Sequence, residues 1–273
     1  MNKITASVVL YNTPEWQIER VLDSVTGSTL PIEVHLVDNS PAAHSLPCFT
    51  RKNVKYIKTL RNKGYGYGHN LALRSLIERS KYHLILNPDI YFDPQEIEKM
   101  IGFMDMNPSI GMMMPKVVYP DGRLQYLCKL LPSPADLILR RFAVGPLRIL
   151  NDRRMECFEM RRANFEKTMD VPYLSGCCML FRVSALKEVG FFDERFFMYL
   201  EDTDLSRRMH AQYRTVYYPE AKIVHEHARD SYKSRRMLWI HMLSAVRYFN
   251  KWGWFFDKER SRVNRKIIFK NIK

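Results

Sequence analysis

Several signatures of common protein classes are missing from this chain of 273 residues. The apolar run Val171–Phe181 has about eleven residues between two charged ones, too few for a helix that crosses a bilayer. The opening stretch MNKITASVVLYN meets Pro14 before a signal sequence could form, so we expect a first β-strand there. No internal repeat and no low-complexity segment is visible. These absences favour a globular domain.

Cysteine and nucleotide-binding motifs are also scarce. The five cysteines show no CxxC spacing, and we expect them to be buried, reduced thiols of a cytoplasmic protein. Neither GxGxxG nor the Walker motif GxxxxGK[ST] occurs. Gly64, Gly66 and Gly68 nevertheless follow a predicted strand and open a predicted helix, an arrangement that suggests close backbone approach to a phosphate.

Positive charge is concentrated at one end of the chain. The net charge is +14, and residues 229–273 hold 13 Lys and Arg but three acidic residues, which is a net +10. Aromatic residues are interleaved with them, among them Trp239, Tyr248, Phe249, Trp252, Trp254, Phe255 and Phe256. Basic residues mixed with such aromatics suit an anionic membrane surface. Nucleic-acid binding, or a packed helix with a solvated basic face, remain alternatives for the same segment.

Strands and helices alternate along the first part of the chain. Strands are predicted at Ile4–Tyr11, Ile32–Val37, Val54–Leu60 and His83–Leu86, with helices between them. The first of these helices is predicted to be capped by Thr13 and to end at Gly27. Later in the chain, a strand is predicted at Tyr173–Phe181 and a long amphipathic helix from about Ser231 to Trp252. This order predicts an open α/β sheet with parallel strands, whose ligands bind beyond the carboxyl ends of the strands. The pattern weakens at Leu130–Lys167, which we expect to be an irregular connection.

Polar side chains occur where this fold would bind a ligand. Asp89, after a predicted strand, could bind Mg²⁺ or Mn²⁺, although Asn-Pro-Asp is also an ordinary turn. Glu201, Asp202 and Asp204 lie within four residues and could supply a general base or cap a helix. His225 follows a short apolar strand and is a metal ligand if a metal is bound, or a structural residue otherwise.

Taken in order, these segments resemble an inverting family 2 glycosyltransferase with the GT-A fold, close to its bacterial rhamnosyltransferase-like branch. The matching stretches span residues 4–235, about 85% of the chain, and read VVLYNTPEW, VDNS, NKGYGYGHNLAL, LNPDI, YLSGCCMLFRVSALKEVGFFDERFFMYLEDTDLSRR and VHEHARDSYKS. The resemblance implies an α/β, Rossmann-like mixed sheet flanked by helices, followed by a basic helical tail. It implies a GT-A domain at residues 1–228, divided into a nucleotide-sugar half (1–115) and an acceptor and catalytic half (116–228), and a C-terminal segment at residues 229–273.

The resemblance also implies a role for individual residues. Asp202 is the expected catalytic base, with Glu201 beside it, and Asp89 and His225 are the expected ligands of a Mg²⁺ or Mn²⁺ ion. Asn87 stands where the family's DxD signature has its first aspartate, so one negative charge is missing from the metal site. Expected donor-binding residues are Tyr11, Asn12, Asp38, Asn62, Gly64, Asn70, Asn87 and Asp89, and the expected sugar and acceptor residues are Tyr173, Ser175 and Gly176.

The function that follows is sugar transfer from a nucleotide sugar to a saccharide acceptor. A dTDP-rhamnose or UDP-sugar donor, a lipid-linked or oligosaccharide acceptor and a location at the inner face of the cell membrane are the expectations, with no nucleic-acid partner. A sugar nucleotidyltransferase is an alternative, but the Gly- and Lys-rich loop that it needs is replaced here by Asn12-Thr13-Pro14-Glu15-Trp16. A nucleic-acid-binding module is a second alternative, and the steep salt dependence of phosphate binding would reveal it.

Overall fold

A nine-stranded mixed sheet forms the centre of the molecule in a computed structural model, which describes residues 4–142, 147–226 and 234–272. The strands of the described chain are β1 (Ile4–Leu10), β2 (Ile32–Asp38), β3 (Val54–Lys58), β4 (Tyr82–Leu86), β5 (Ile90–Tyr91), β6 (Ile110–Val118), β7 (Cys128–Lys129), β8 (Met169–Asp170), β9 (Tyr173–Leu174), β10 (Cys178–Arg182) and β11 (Arg214–His225). The helices are α1 (Glu15–Thr26), α2 (Tyr65–Leu76), α3 (Gln95–Met106), α4 (Pro134–Phe142), α5 (Leu147–Phe158), α6 (Val183–Val189), α7 (Glu201–Gln212), α8 (Arg235–Trp252) and α9 (Lys258–Asn271).

The strand order is β3-β2-β1-β4-β10-β6-β11-β5, with β8 also paired to β11. The first four strands in this order are mutually parallel, whereas β10 runs antiparallel to both β4 and β6. The predicted mixed sheet flanked by helices is therefore confirmed. The core residues of β1 and β4 are buried along the whole strand, as expected for a sheet covered on both faces.

The predicted helices and strands agree with the structure in the first part of the chain, where the two alternate. The agreement is poorer in the rest of the chain. Each of the four strands predicted in the first part is present, and Gly27 ends α1 as expected. The predicted cap of α1 by Thr13 is wrong, because Thr13 Oγ1 accepts the backbone N–H of Tyr11 and no side chain caps the helix. A single predicted strand at Tyr173–Phe181 is two short strands, β9 and β10, separated by the turn that carries Gly176.

The stretch expected to be irregular contains two helices, α4 and α5. Helix α4 begins with a reciprocal cap: the Ser133 N–H donates to Asp136 Oδ2 at 2.7 Å, and the Asp136 N–H donates to Ser133 Oγ at 3.4 Å. Pro134 occupies the first helical position, where the missing N–H costs nothing. Ser-Pro-x-Asp was thus a readable start signal, and the expectation of an irregular connection there is wrong.

The C-terminal segment is helical and packs on the rest of the domain. Buried Tyr248 and Phe249 of α8 form a cluster with Phe196 and Leu200. The predicted long helix from about residue 231 begins at Arg235, and the part of that prediction at residues 231–233 lies outside the described residues. Among the helices of the described ranges, none combines the length and the apolar character needed to cross a bilayer.

Candidate active site

The carboxyl ends of the parallel strands meet at one edge of the sheet. Leu10 pairs with Asp38 in register, so Tyr11 and Asp38 emerge side by side. Strand β4 ends at the same edge, where the N–H of Asn87 donates to the carbonyl of Cys177 at 2.8 Å. Because β10 is antiparallel to β4, its start lies here too and brings the Ser175–Cys177 turn to the strand ends. The topology thus unites motifs that lie far apart in sequence.

A cavity of about 300 Å³ opens at this edge. It collects seven of the residues that the sequence predicts for the site. They are Asn87, Tyr173, Ser175, Gly176, Glu201, Asp202 and His225. The cavity also has apolar walls and further polar groups that the sequence analysis did not select. These include Tyr65, Leu127, Lys129, Leu137, Phe158, Cys177, Met198, Tyr199, Leu200 and His241.

Asp202 stands at the start of α7 with both carboxylate oxygens held. Oδ2 accepts the N–H of Gly176 at 2.9 Å, and Oδ1 accepts the N–H of Thr203 at 2.7 Å. The Tyr173 hydroxyl lies 3.4 Å from Oδ2. Burial raises the pKa of Asp202, and the Gly176 N–H and the charge of Lys129 act in the opposite direction. The outcome is an oriented carboxylate with a raised pKa, which suits a general base.

The neighbouring carboxyl, Glu201, has a different environment. It is 5% exposed, and its Oε2 accepts no hydrogen bond within the described chain. Burial and then the negative charge of Asp202 raise the pKa of Glu201 well above its usual range. Two adjacent carboxyls whose surroundings differ in this way can hold different protonation states. The protonated form is favoured at Glu201.

The backbone that leads into this pair is strained. Tyr199 and Leu200 both adopt left-handed conformations, with φ of 70° and 65°, and neither is glycine. Such conformations cost about 1–3 kcal/mol each and persist where the surrounding structure enforces them. Leu200 packs in the cluster with Phe196, Tyr248 and Phe249, which supplies that enforcement. The strained turn places Glu201 and Asp202 at the cavity.

Lys129 is a cavity residue that sequence reasoning missed. It lies in β7, is 6% exposed and stands over the ring of Tyr173 at 5.2 Å from its centroid. Lys129 also pairs with Tyr173 in the two-stranded sheet formed by β7 and β9. Two-residue strands carry no periodic signal, so a lysine in one cannot be recognised as buried from the sequence. Its positive charge faces the same cavity as Asp202.

Asp89 and His225 come together as the sequence analysis expected of two metal ligands. His225 Nε2 lies 3.3 Å from Asp89 Oδ1, while His225 Nδ1 is 3.0 Å from Gln125 Oε1. Adjacent ligands of an octahedral Mg²⁺ ion lie about 3 Å apart, because each is about 2.1 Å from the metal. A buried imidazole whose other nitrogen is held by an amide oxygen is also typical of metal sites. The pair therefore fits a divalent cation.

The protein supplies few ligands beyond this pair. Within residues 4–142, 147–226 and 234–272, no group of three His, Cys, Asp or Glu residues converges as a metal site would need. The amide of Asn87, in place of a carboxylate, lines the adjacent cavity. A cation held by Asp89 and His225 would thus need its other ligands from water and a substrate, which is how Mg²⁺ is held beside phosphates.

Asp38, an expected donor-binding residue, is held by several hydrogen bonds within the protein. Its oxygens accept hydrogen bonds from the Ser40 N–H at 2.8 Å, the Tyr56 hydroxyl at 2.5 Å and His44 Nδ1 at 3.0 Å. Burial acts to raise the pKa of Asp38, but these hydrogen bonds outweigh it and lower the pKa to about 2. Asp38 is therefore ionised at neutral pH, and its hydrogen bonds hold the loop after β2 in place.

The glycine-rich run is explained largely by close packing. Gly64 has a φ of 107°, and a Cβ there would lie 2.0 Å from the carbonyl oxygen of Phe197. Asn62 Oδ1 accepts the N–H of Gly64 at 2.9 Å and shapes this turn. At Gly68, a Cβ would lie 2.7 Å from Val9 of β1. The glycines thus bring α2 against β1 and against the segment before α7.

The remaining predicted donor residues lie apart from the cavity walls. Asn70 is 1% exposed and its amide bonds the backbone of Phe192 in both directions, at 2.9 and 3.1 Å. It joins α2 to the segment before α7 and is not among the cavity residues. Tyr11 is exposed at the end of β1, and Asn12 follows with a φ of 48° and its N–H bonded to Ser40.

The sequence profile of glycosyl transferase family 2 matches residues 5–190, more than half of the chain. This chain belongs to that family. A second profile, glycosyl transferase family group 2, matches residues 149–263 and so extends into α9 of the glycosyltransferase. The expected family is confirmed.

Two characterised relatives share most of the glycosyltransferase's length. N-acetylglucosaminyl-diphospho-decaprenol L-rhamnosyltransferase from Mycobacterium tuberculosis is 29% identical over 247 residues, which are 85% of this chain and 78% of the relative. Rhamnosyltransferase WbbL from Escherichia coli K12 is 27% identical over 197 residues, 67% of this chain and 70% of the relative. The resemblance to rhamnosyltransferases is therefore shown by sequence.

Solved structures confirm the GT-A fold. TarS residues 1–349 of S. aureus, determined with UDP-GlcNAc, has a TM-score of 0.62 at 17% identity, and the match covers 98% of this chain and 71% of that one. GalNAc-T7, determined with UDP, GalNAc and Mn²⁺, has a TM-score of 0.59 at 13% identity and covers 82% of this chain. This chain spans 43% of GalNAc-T7. Identities this low establish the fold alone.

Proposed function

We propose that this glycosyltransferase moves rhamnose from a nucleotide sugar onto a lipid-linked saccharide in the synthesis of a cell-surface polysaccharide. The sugar and the acceptor are suggested by the names of the two rhamnosyltransferase relatives, one of which acts on N-acetylglucosaminyl-diphospho-decaprenol. The observation that supports the chemistry most directly is the oriented carboxylate of Asp202 inside a cavity at the strand ends.

The proposed reaction is a single displacement with inversion at the anomeric carbon. The acceptor hydroxyl oxygen attacks this carbon, its proton passes to a carboxylate oxygen of Asp202, and the bond from the anomeric carbon to the nucleotide diphosphate breaks. The N–H groups of Gly176 and Thr203 keep the carboxylate oriented for this transfer. A base placed in this way contributes about 10²–10⁴-fold to the rate.

Asp89 and His225 are the residues that would hold a divalent cation. When bound, such a cation stabilises the negative charge of the diphosphate leaving group. Asn87 lowers the negative charge of this site by one relative to two aspartates, so we expect moderate metal affinity. On the donor side, the exposed ring of Tyr11 and the loop fixed by Asp38 are proposed to receive the nucleoside.

The proposed acceptor determines where the enzyme works. A lipid-linked saccharide is anchored in a bilayer, and nucleotide sugars are made in the cytoplasm. We therefore propose that the enzyme is cytoplasmic and binds peripherally to the inner face of the cell membrane. The net +10 of residues 229–273 supports this, since basic residues near an anionic leaflet each contribute about 1 kcal/mol.

Hydrolysis of the donor tests this function without the acceptor. Purified protein is incubated with a panel of dTDP-, UDP- and GDP-sugars in the presence of Mg²⁺, Mn²⁺ or a chelator. We expect slow, metal-dependent release of nucleoside diphosphate from one donor, dTDP-rhamnose, and a loss of this release in Asp202→Asn. If no donor is turned over and no nucleoside diphosphate raises the melting temperature, the proposed function is wrong.

A further inference from the structure

Helix α8 has two apolar faces, and the described part of the chain covers only one of them. Tyr248 and Phe249 are buried against Phe196 and Leu200. On the other side, Trp239 is 64% exposed and Leu243 is 51% exposed, and Met242 and Val246 are exposed as well. These four residues are spaced at i, i+3, i+4 and i+7, so they form one continuous stripe along the helix. A surface helix of a monomer normally packs such an apolar stripe against the core.

The neighbouring helix α4 also exposes an apolar side chain. Ile138 of α4 is 57% exposed, and α4 packs against α8. We call the surface formed by Ile138, Trp239, Met242, Leu243 and Val246 the α4–α8 face. Exposed apolar side chains are normal when they are scattered, but a contiguous group marks an interaction surface.

Charge distinguishes the kinds of partner that could cover this face. Helix α8 contains four Lys and Arg residues and no acidic residue. Arg235 and Arg236 are exposed, and they lie one turn before Trp239 on the same side of the helix. A second copy of the chain would bring these basic helices together and so oppose like charges. An anionic surface with an apolar interior complements both features.

The α4–α8 face adjoins the active-site cavity. His241 and Leu137 line the cavity, and the residues that follow them in the chain, Met242 and Ile138, belong to the exposed face. The helices that form one wall of the cavity thus carry the apolar face on their outer side. A substrate held in the bilayer would reach the cavity along this side.

We propose that the α4–α8 face inserts into the interfacial region of an anionic lipid bilayer and presents the cavity to the membrane surface. This rests on the proposed function in one respect, namely that the acceptor is lipid-linked. Trp239 and Leu243 enter the boundary between headgroups and acyl chains, while Arg235 and Arg236 meet the anionic headgroups. The acceptor then reaches Asp202 without leaving the membrane.

Vesicle binding by the full chain tests the proposal. Sedimentation is measured with vesicles of phosphatidylcholine alone and of phosphatidylcholine mixed with phosphatidylglycerol. We expect binding to the anionic vesicles and a loss of at least about ten-fold in the double variant Trp239→Ser, Leu243→Ser, because two apolar side chains no longer enter the lipid. Arg235→Gln with Arg236→Gln should weaken binding to anionic vesicles and leave the weak binding to neutral vesicles unchanged.

A matched control removes apolar side chains that are more exposed than Trp239 and Leu243 but lie elsewhere. Leu60 and Met106 are exposed on other parts of the surface, and Leu60→Ser with Met106→Ser should bind anionic vesicles as the wild type does. The proposal is overturned if wild-type protein ignores anionic vesicles or if the control loses binding equally. It is also overturned if light scattering shows a wild-type dimer that the Trp239, Leu243 variant converts to a monomer, since the face would then join two copies.

Activity separates this proposal from the proposed function. The Trp239, Leu243 variant should retain wild-type turnover with a water-soluble, short-chain analogue of a diphospholipid-linked N-acetylglucosamine, and lose it with the long-chain substrate in vesicles. Equal loss with both acceptors would contradict the membrane role. Absence of turnover with either acceptor in the wild type would contradict the proposed function and leave the vesicle-binding result standing.

Discussion

Two neighbouring carboxyls illustrate how much the environment of a single residue decides. Asp202 is held by two backbone N–H groups, which stabilise its ionised form. Glu201 is buried beside it, and Oε2 receives no hydrogen bond in the part of the chain that the structure describes. Both side chains are carboxyls with the same intrinsic chemistry. The hydrogen bonds of Asp202 support the proposal that it is the base, whereas burial and the charge of Asp202 favour the protonated form of Glu201.

Substitution of each carboxyl by its amide separates these roles. Asp202→Asn should lower kcat by about 10²–10⁴-fold with little change in donor affinity, because the base is lost and the shape is kept. Glu201→Gln should change kcat much less, since it replaces a protonated carboxyl by a neutral amide. Single-turnover kinetics and donor binding by calorimetry measure both effects. An equal loss of kcat in the two variants would show that Glu201 also acts in the chemistry.

The free energy of unfolding of the wild type and of Glu201→Gln, measured against pH, tests independently whether the pKa of Glu201 is raised. A carboxyl with a raised pKa in the folded state releases its proton more readily when unfolded, so wild-type stability falls as pH rises above the unfolded value of about 4.3. The loss approaches about 1.4 kcal/mol per pH unit for one proton and ends above the folded pKa. The glutamine of the variant has no proton to release, so the variant does not lose stability in this way. The difference between the free energies of unfolding of Glu201→Gln and of the wild type should therefore shift in favour of the variant as pH rises.

We expect the charge of Lys129 to influence the pH below which activity falls. Burial raises the pKa of Asp202 and the positive charge of Lys129 lowers it. Lys129→Met removes that charge, so the pH below which the base becomes protonated should move upward. Lys129→Arg keeps the charge and should keep the profile. The measurement is kcat/KM against pH for the three proteins, and an unchanged acid limb in Lys129→Met would contradict this role.

At the scale of elements, α2 can start where it does only because Gly64 lacks a side chain. Gly64→Ala would place a Cβ 2.0 Å from the Phe197 carbonyl oxygen at a φ of 107°, so we expect a loss of roughly 2–4 kcal/mol in the free energy of unfolding. Gly102 is the matched control, because it lies in α3 with open space around it. Gly102→Ala should stabilise by about 0.5–1 kcal/mol. Urea unfolding measures both, and equal effects would contradict the packing argument.

Short elements were harder to predict than long ones. Strands β1, β2 and β4 are buried along nearly their whole length, so their apolar runs are visible in the sequence. The two-residue strand β7 has no such run, yet it lines the cavity with Lys129 and pairs with β9. The sequence therefore holds no local signal for β7.

On the scale of the whole molecule, the C-terminal segment is hydrogen-bonded to α7, the helix that carries Asp202. Arg207 of α7 donates two hydrogen bonds to Asp257, at 2.6 and 2.8 Å, and both side chains are buried. Its guanidinium also lies 4.1 Å from the centroid of a ring of Trp252. Trp252 in turn donates to Asp204, in the same helix as Asp202. The basic segment is therefore fastened to the helix that carries the proposed base.

The sequence by itself determined the alternation of strands and helices, the family, and seven of the residues that line the cavity. These follow from local patterns: apolar runs mark buried strands, and motifs at strand ends mark the ligand edge of an α/β sheet. Asn87 and His225 could be selected in this way, whereas Asp202 was selected from an acidic segment and by resemblance to the family.

Only the tertiary structure decided which of those residues meet, and which face the solvent. It bonded the amide of Asn70 to the backbone of Phe192, brought Lys129 to the cavity and left one apolar side of α8 exposed. Each outcome depends on contacts between residues tens to hundreds of positions apart. Such contacts follow from strand order and helix packing across the molecule. They cannot be predicted from a pattern within one segment of the chain.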